Sequence, residues 1–281
     1  MAIKLIVSDV DGTLVNTPQD YSLHPRVKEA IQKAMAKGAL FSIASGRPYS
    51  SAQQFVSLVG ANGPTICNNG SDIVENGRAL QSMLLPKEFV KLCVEYALLH
   101  PSIFLMAGRE EGLICLSTGD PARDLQLCID LGIDEHDAKK VRVYERSEAR
   151  VFWESDLRKI IYLDNDVPNL QKIRAEWEEM IQTGRAGYEA HMASSFPNNF
   201  EFMPKNVNKG TSMLRMAEHL GILPEEIMAV GDNENDIEMI RMAGLGVAMG
   251  NGTEAVRAAA RYVTATAAED GLALAIEKFV L

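Results

Sequence analysis

Two carboxylates one residue apart, Asp9 and Asp11, close a short apolar run and are followed at once by Gly12 and Thr13. A buried strand that ends in paired acids sets up a repulsion that a cation or a proton must relieve, and hard oxygen donors suit Mg²⁺. Leu5, Ile6 and Val7 read as a strand covered on both faces. The acids then emerge at its carboxyl end, where open α/β sheets hold ligands, and alternation projects both the same way. A turn or a cap explains one Asp but not the pair. The D-x-D-G spacing does not make an EF-hand, because Gly12 stands fourth from Asp9 rather than sixth and the twelfth position holds Asp20 rather than Glu.

Three more polar clusters follow apolar runs or open helices. Ser45-Gly46-Arg47 comes directly after a strand-like run, and a hydroxyl, a glycine N–H and a helix start are partners that phosphate oxygens accept. A plain N-cap before Pro48 explains that motif equally well on its own. Asn208-Lys209-Gly210 opens a helix, where a lysine opposes the macrodipole unless an anion lies nearby. Gly231-Asp232-Asn233-Glu234-Asn235-Asp236 follows Ile227–Val230, and Asp232 and Asp236 share a face if a helix begins at once. Each cluster alone could be ordinary capping. Four of them at strand carboxyl ends or helix starts beside one sheet would converge on a single crevice.

The elements that must position these groups alternate. Val27, Ala30, Ile31, Ala34 and Met35 recur at helical spacing, with Gly38 as a C-cap. A strand over Ala39–Ala44 leads into Ser45, and Pro48 sits where the first turn of a new helix begins. Thr65–Cys67 is a strand, followed by a hairpin whose Asn76-Gly77 suits a type I′ turn. Strand, helix, strand, helix, strand implies a parallel sheet. From about residue 84 the texture changes to a second α+β module: a helix over Lys87–Leu99, strands at Ile103–Met106, Leu113–Leu116, Lys159–Leu163, Tyr188–Met192 and Phe200–Met203, and a helix over Leu170–Ile181 facing Ile173, Trp177 and Met180 inward. Alternation then resumes, with a helix presenting Met213, Met216, Ala217 and Leu220, strands at Ile227–Val230 and Leu245–Met249, and helix plus edge strand over Ala255–Ala268. The expected fold is a doubly wound, Rossmann-like α/β core, residues 1–83 and 204–281, with an inserted α+β domain over 84–203.

Composition narrows the partners. Acids outnumber bases 38 to 28, a formal charge of −10, whereas nucleic acid and anionic membrane both call for a basic face. A local cluster of cation, lysine and backbone N–H groups is still enough for an anionic small molecule. Cys67, Cys93, Cys115 and Cys128 form no C-x-x-C and read as reduced, mostly buried thiols. The histidines at 24, 100, 136, 191 and 219 lack metal-ligand spacing. Ser8 and Asp9 break the first apolar run too early for a secretory segment, and no apolar run reaches the ~18 residues of a membrane span, so a cytoplasmic location is expected.

D9-V-D11-G-T13, S45-G-R47, Lys209 and G-D232-N-E-N235-D236, in that order, resemble the four motifs of the haloacid dehalogenase superfamily. The insert between the second and third motifs resembles the Cof-type sugar-phosphatase branch, over essentially the whole chain; Ser45 stands where Thr is commoner there. The resemblance implies a Mg²⁺-dependent phosphatase of small phosphomonoesters. It implies Asp9 as a nucleophile that becomes an aspartyl phosphate and Asp11 as the acid and base. Mg²⁺ would be held by Asp9, the Asp11 backbone carbonyl and Asp232, while Asp236 would orient the metal shell or Lys209. Phosphoryl oxygens would be bound by the Val10 backbone, Ser45, Gly46, Lys209 and Asn235, with Arg47 as a weaker substrate contact. The insert would be a cap that selects the leaving group. Two relatives in chemistry stay open: a sugar phosphomutase, which re-binds a phosphorylated product, and a phospho-receiver or metal-binding module, which would be shorter and lack the insert.

Overall fold

The computed structural model describes residues 2–16, 22–110, 112–131, 133 and 138–281; Asp20 and His136 lie outside the described residues. The chain divides into two compact units, Met1–Gln81 with Asn208–Leu281, and Ser82–Val207.

The first apolar run forms strand β1 (Leu5–Ser8), buried throughout. After it come α1 (Pro25–Ala36), β2 (Leu40–Ile43), α2 (Tyr49–Val59), β3 (Thr65–Cys67), β4 (Asp72–Glu75) and β5 (Arg78–Ser82). Helix α1 buries Val27, Ala30, Ile31 and Ala34 and ends at Gly38, whose φ of 95° only a glycine adopts without cost. Pro48 is the N-cap of α2, in extended backbone, rather than part of its first turn. Asn76 and Gly77 both take positive φ, 50° and 76°, as a type I′ turn demands.

The second unit runs α3 (Lys87–Leu99), β6 (Phe104–Gly108), β7 (Leu113–Leu116), α4 (Pro121–Asp130), β8 (Val141–Tyr144), α5 (Arg150–Glu154), β9 (Lys159–Leu163), α6 (Val167–Gln182), β10 (His191–Ala193) and β11 (Asn199–Met203). Its six strands lie in the order β10-β11-β9-β6-β7-β8 and pair antiparallel except β7 with β8. The strand expected at Tyr188–Met192 is displaced to β10. Gly184 and Gly187 hold left-handed turns, and Tyr188 then packs its ring on Phe89 and accepts the Lys205 N–H with its hydroxyl instead of joining a ladder. Leu170, Ile173 and Trp177 of α6 are buried, and Met180 is half-buried against the same aromatic core.

The first unit resumes with α7 (Lys209–Leu220), β12 (Ile227–Gly231), α8 (Ile237–Met242), β13 (Leu245–Ala248), α9 (Glu254–Ala259), β14 (Tyr262–Val263) and α10 (Gly271–Phe279). Its main sheet has the order β14-β13-β12-β1-β2, every pair parallel. Alternation along β1 sorts the two faces. Ile6 packs with Val27 and Ile31 of α1, Phe55 of α2 and Leu272 of α10, whereas Leu5 and Val7 pack with Met213 and Met216 of α7 and Met239 of α8. Each such buried aliphatic side chain contributes roughly 1.5–3 kcal/mol. Helices on both faces of a parallel sheet make the doubly wound core and align the carboxyl ends of its strands along one edge. The four cysteines are free, three buried and Cys128 partly so. No helix among the described residues is long and apolar enough to cross a membrane.

Candidate active site

Strand β1 lies between β2 and β12, with Ser8 opposite Ile43 on one side and Val230 on the other. The three chains leave the sheet side by side. The ladder continues one step past β1, with the Asp9 N–H on the Val230 carbonyl at 2.9 Å and the Ala44 N–H on Ser8 at 2.9 Å. Asp9, Ser45 and Asp232 therefore emerge at one edge. Lys209 arrives from α7, where Asn208 caps the helix by accepting the Thr211 N–H at 2.8 Å and so fixes Lys209 as the first helical residue.

The Lys209 ammonium, fully buried, donates to Asp9 Oδ1 at 2.7 Å and to Asp236 Oδ1 at 2.6 Å. Here is the anion that a lysine at a helix start calls for. Among the described residues Lys209 is the only hydrogen-bond donor to the Asp9 side chain, so Asp9 Oδ2 is uncommitted. Asp236 Oδ2 accepts the backbone N–H of Asp232 and Asn233 at 2.9 and 3.0 Å. Asp232 accepts from the Thr13 hydroxyl at 2.8 Å and from Asn233 Nδ2 at 3.1 Å. No helix begins at Asp232: a 3₁₀ turn over Glu234–Asp236 precedes α8, and it is this turn, not a shared helix face, that folds Asp236 back toward Asp232.

Asp9, Asp232 and Asp236 each offer one oxygen within 4.8 Å of the others. Burial, then the Asp236 charge, raises Asp9 from 3.8 to about 7 against the pull of Lys209. Burial, then the Asp9 charge, lifts Asp232 well above the carboxylate range although the Thr13 hydroxyl opposes it. Burial disfavours the Lys209 charge, yet Asp236 and Asp9 outweigh it and hold the ammonium above its ordinary value. Three carboxylates thus share one ammonium, which leaves an excess of negative charge and an all-oxygen donor set. That set fits Mg²⁺ and offers a softer metal neither sulfur nor imidazole. Gly12 makes the approach possible: its φ is 84°, and a Cβ there would stand 2.5 Å from Asp232 Oδ2.

Asp11 stands apart from this cluster. Its carboxylate is gripped by Arg47, with Nε to Oδ2 at 3.0 Å and Nη2 to Oδ1 at 2.9 Å, and the guanidinium also donates to Ser51 at 3.3 Å and lies over the Phe55 ring. The Asp11 side chain is not among the clustered oxygens, which leaves its backbone carbonyl, the group expected to face a metal, and Arg47, expected as a substrate contact, has its guanidinium on Asp11. Asp236, expected behind the metal shell, has an oxygen within the cluster, although its bonds to Lys209 and two N–H groups occupy both oxygens. The Val10 side chain is in the core and its carbonyl accepts from Leu14 and Val15, so the N–H is the backbone group left for a ligand.

Ser45 is buried and its hydroxyl accepts the Arg47 N–H at 3.2 Å. Gly46 and Asn235 meet at Asn69, a residue that the sequence reading passed over: Asn235 Nδ2 donates to Asn69 Oδ1 at 3.0 Å, and a Cβ on Gly46 would lie 3.2 Å from that same oxygen. The signal was the doublet Asn68-Asn69 before Gly70, asparagines being the side chains that tolerate left-handed backbone. Asn251 was passed over too; it donates to the Gly12 carbonyl at 2.9 Å.

A family model of haloacid dehalogenase-like hydrolases matches residues 6–276. A 5-amino-6-(5-phospho-D-ribitylamino)uracil phosphatase of Bacillus subtilis (strain 168) is 30% identical over 280 residues, covering 99% of this chain and 96% of the relative. Another phosphatase of that name from Escherichia coli (strain K12) is 27% identical, with 99% and 96% covered. Among solved structures, a haloacid dehalogenase-like hydrolase from Bacteroides thetaiotaomicron superposes with a TM-score of 0.78 at 29% identity, covering 98% of this chain and 99% of that one.

Proposed function

The chain belongs to the haloacid dehalogenase-like hydrolases and is a phosphatase of that family, and from that premise we propose a two-step hydrolysis of a small phosphomonoester through an aspartyl phosphate on Asp9. The observation that carries it is the Asp9 carboxylate itself, with Oδ1 tied to a buried lysine, Oδ2 uncommitted among the described residues, and one of its oxygens within 4.8 Å of Asp232. Lys209 restrains the carboxylate while the free oxygen attacks phosphorus. The ester P–O bond breaks, its electron pair goes to the leaving oxygen, and Asp11 supplies the proton. Water then attacks the phosphorus of the acyl phosphate and yields its proton to Asp11, releasing inorganic phosphate and restoring Asp9. Ser45, the N–H groups of Gly46 and Val10, Lys209 and Asn235 receive the phosphoryl oxygens as charge grows on them. Mg²⁺, held by Asp9, the Asp11 carbonyl and Asp232, would neutralise the charge shared by Asp9 and the phosphoryl group. Arg47 holds both Asp11 oxygens in this structure, so the guanidinium lets go before the carboxyl group reaches the leaving oxygen.

The unit Ser82–Val207 then governs which ester is accepted, and a ribityl phosphate bearing a pyrimidine is the first to try, given what the Bacillus subtilis and Escherichia coli relatives are named for. A panel of phosphometabolites assayed for phosphate release in Mg²⁺ tests the substrate. Asp11→Asn with an activated aryl phosphate tests the chemistry: the second step lacks its base, so a hydroxylamine-labile phosphate accumulates on Asp9 and appears in the intact mass. Net inversion of configuration at phosphorus, with no such adduct, sinks the covalent route, because two successive in-line displacements would retain it.

A further inference from the structure

Asn69 touches both phosphate-side motifs and belongs to neither. It sits just past β3 with φ at 55°, next to Asn68 at 50°, and both are buried. Two successive non-glycine residues in the left-handed region cost free energy, and such strain persists where the surroundings hold it in place for a purpose. The surroundings here are specific. The Asn69 N–H donates to the Ser45 carbonyl at 3.1 Å and the Asn68 N–H to the Arg47 carbonyl at 2.9 Å, which laces this turn to the loop after β2. Asn68 Nδ2 holds Asp72 at 2.7 Å and anchors the turn from behind. Behind Gly70, whose φ is 105°, a Cβ would stand 2.4 Å from the Asn208 carbonyl, so the same turn is pressed against the start of α7 that carries Lys209.

We infer that Asn69 is a positioning residue for phosphate binding, acting through Asn235 and Gly46; the inference rests on the phosphatase reading above. An asparagine amide has two N–H donors and a carbonyl. Asn235 gives one N–H to Asn69 Oδ1 at 3.0 Å, which fixes the rotation of its amide and hence the direction in which that side chain presents itself. The Asn69 amide lies within van der Waals reach of the empty side of Gly46, its Oδ1 at 3.2 Å and its Nδ2 at 3.4 Å from where a Cβ would be. It fills the space that a side chain would take and sets the loop whose N–H faces the phosphate. One amide thereby spans the motif after β2 and the motif after β12, which are separated by most of the chain. Small displacements of preorganised donors carry large losses in binding, so the bridge should matter to phosphate affinity more than to turnover of bound ester.

Asn69→Gly isolates the side chain, because glycine keeps the left-handed backbone without strain. Inorganic phosphate affinity in Mg²⁺, measured by calorimetry, and the KM and kcat for an aryl phosphate are compared in the native protein, Asn69→Gly, Asn235→Ala and the double variant. The expected result is a loss of phosphate affinity and a rise in KM of about tenfold in Asn69→Gly with kcat changed less, and a double variant no worse than Asn235→Ala alone, since both remove one device. Asn69→Asp, which keeps the acceptor for Asn235 but adds a charge beside the phosphate, should bind phosphate more weakly still. Native phosphate affinity in Asn69→Gly, or losses that multiply in the double variant, overturns the bridge. If phosphate binds and Asn69→Gly weakens it but no ester is turned over, the phosphatase reading falls while the bridge stands; if esters are hydrolysed and Asn69→Gly binds phosphate normally, the reverse holds.

Discussion

Each unit of the molecule buries a lysine against carboxylates, but in only one of them does the lysine meet a single carboxylate. In the unit Ser82–Val207, Lys159 meets Glu201 at 2.7 Å with both almost fully buried, and the other Glu201 oxygen accepts from the Ser195 hydroxyl at 2.7 Å. One cation answers one anion. In the unit that holds β1 and β12, Lys209 serves Asp9 and Asp236 together, and among the described residues the Asp232 side chain accepts only from the Thr13 hydroxyl and the Asn233 amide. A fold seeking stability alone would not leave that excess, because an uncompensated buried charge costs several kcal/mol. The imbalance marks the place where a ligand completes the structure, and the balanced pair shows what a merely structural buried pair in the same chain looks like.

The most severe way to break this contrast is Asp9→Asn, expected to lower phosphate release by at least about 10⁴-fold because an amide is a poor nucleophile. The same change relieves the excess charge, so in EDTA the variant should melt higher than the native protein; a lower melting temperature would mean that Asp9 is not in surplus. Next in size is Lys209→Met. Removing the shared cation should destabilise the metal-free protein by about 3–5 kcal/mol in denaturant titration, since two carboxylates stay buried.

Metal removal gives a pH signature. With Asp9 at about 7 in the folded protein against an ordinary 3.8, the folded state binds the extra proton between those values, so the metal-free protein loses stability as pH rises from about 4 to about 7. Asp232, raised as well, acts with the same sign. Mg²⁺ favours the ionised form, so the rise in melting temperature on adding Mg²⁺ should be larger at about pH 8 than at about pH 5. An equal rise at both would place the ion elsewhere. The smallest effect sharpens the comparison: Lys159→Met with Glu201→Leu should be within about 1–2 kcal/mol of native stability, because a balanced pair can be replaced by apolar side chains of similar volume. Lys209→Met with Asp9→Leu should not recover in the same way, as Asp232 and Asp236 remain.

Much of the fold was legible because its elements follow local rules. The alternation of apolar strand and amphipathic helix gave β1, α1, β2 and α7 nearly residue for residue, and Asn76-Gly77 announced its turn. The acidic and basic site residues were legible for a topological reason: a parallel sheet sends every ligand to the carboxyl ends of its strands, so polar groups directly after apolar runs stand out. What stayed hidden depends on partners far away in sequence. Nothing near Arg47 says that its guanidinium closes on Asp11, 36 residues earlier. Asn69 reads locally as a turn residue, and its contact with Asn235, 166 residues on, exists only in the fold. Asp236 was placed near Asp232 by helical spacing and arrived there by a tighter turn.

The pairing of β1 with β12 also sets an order of events as the chain is made. Strand β1 finds β2 within its first 43 residues, but its other neighbour begins at Ile227, after the whole unit Ser82–Val207 has been synthesised. Until then one edge of a fully buried strand is bare, and an unpaired apolar edge is a template for wrong partners. The contact between Lys209 and Asp9, 200 residues apart, cannot close before that edge does. A nascent chain halted short of β12 should accordingly be protease-sensitive in its first 81 residues while Ser82–Val207 already resists cleavage, and protection of both units should appear together with the last strands of the sheet.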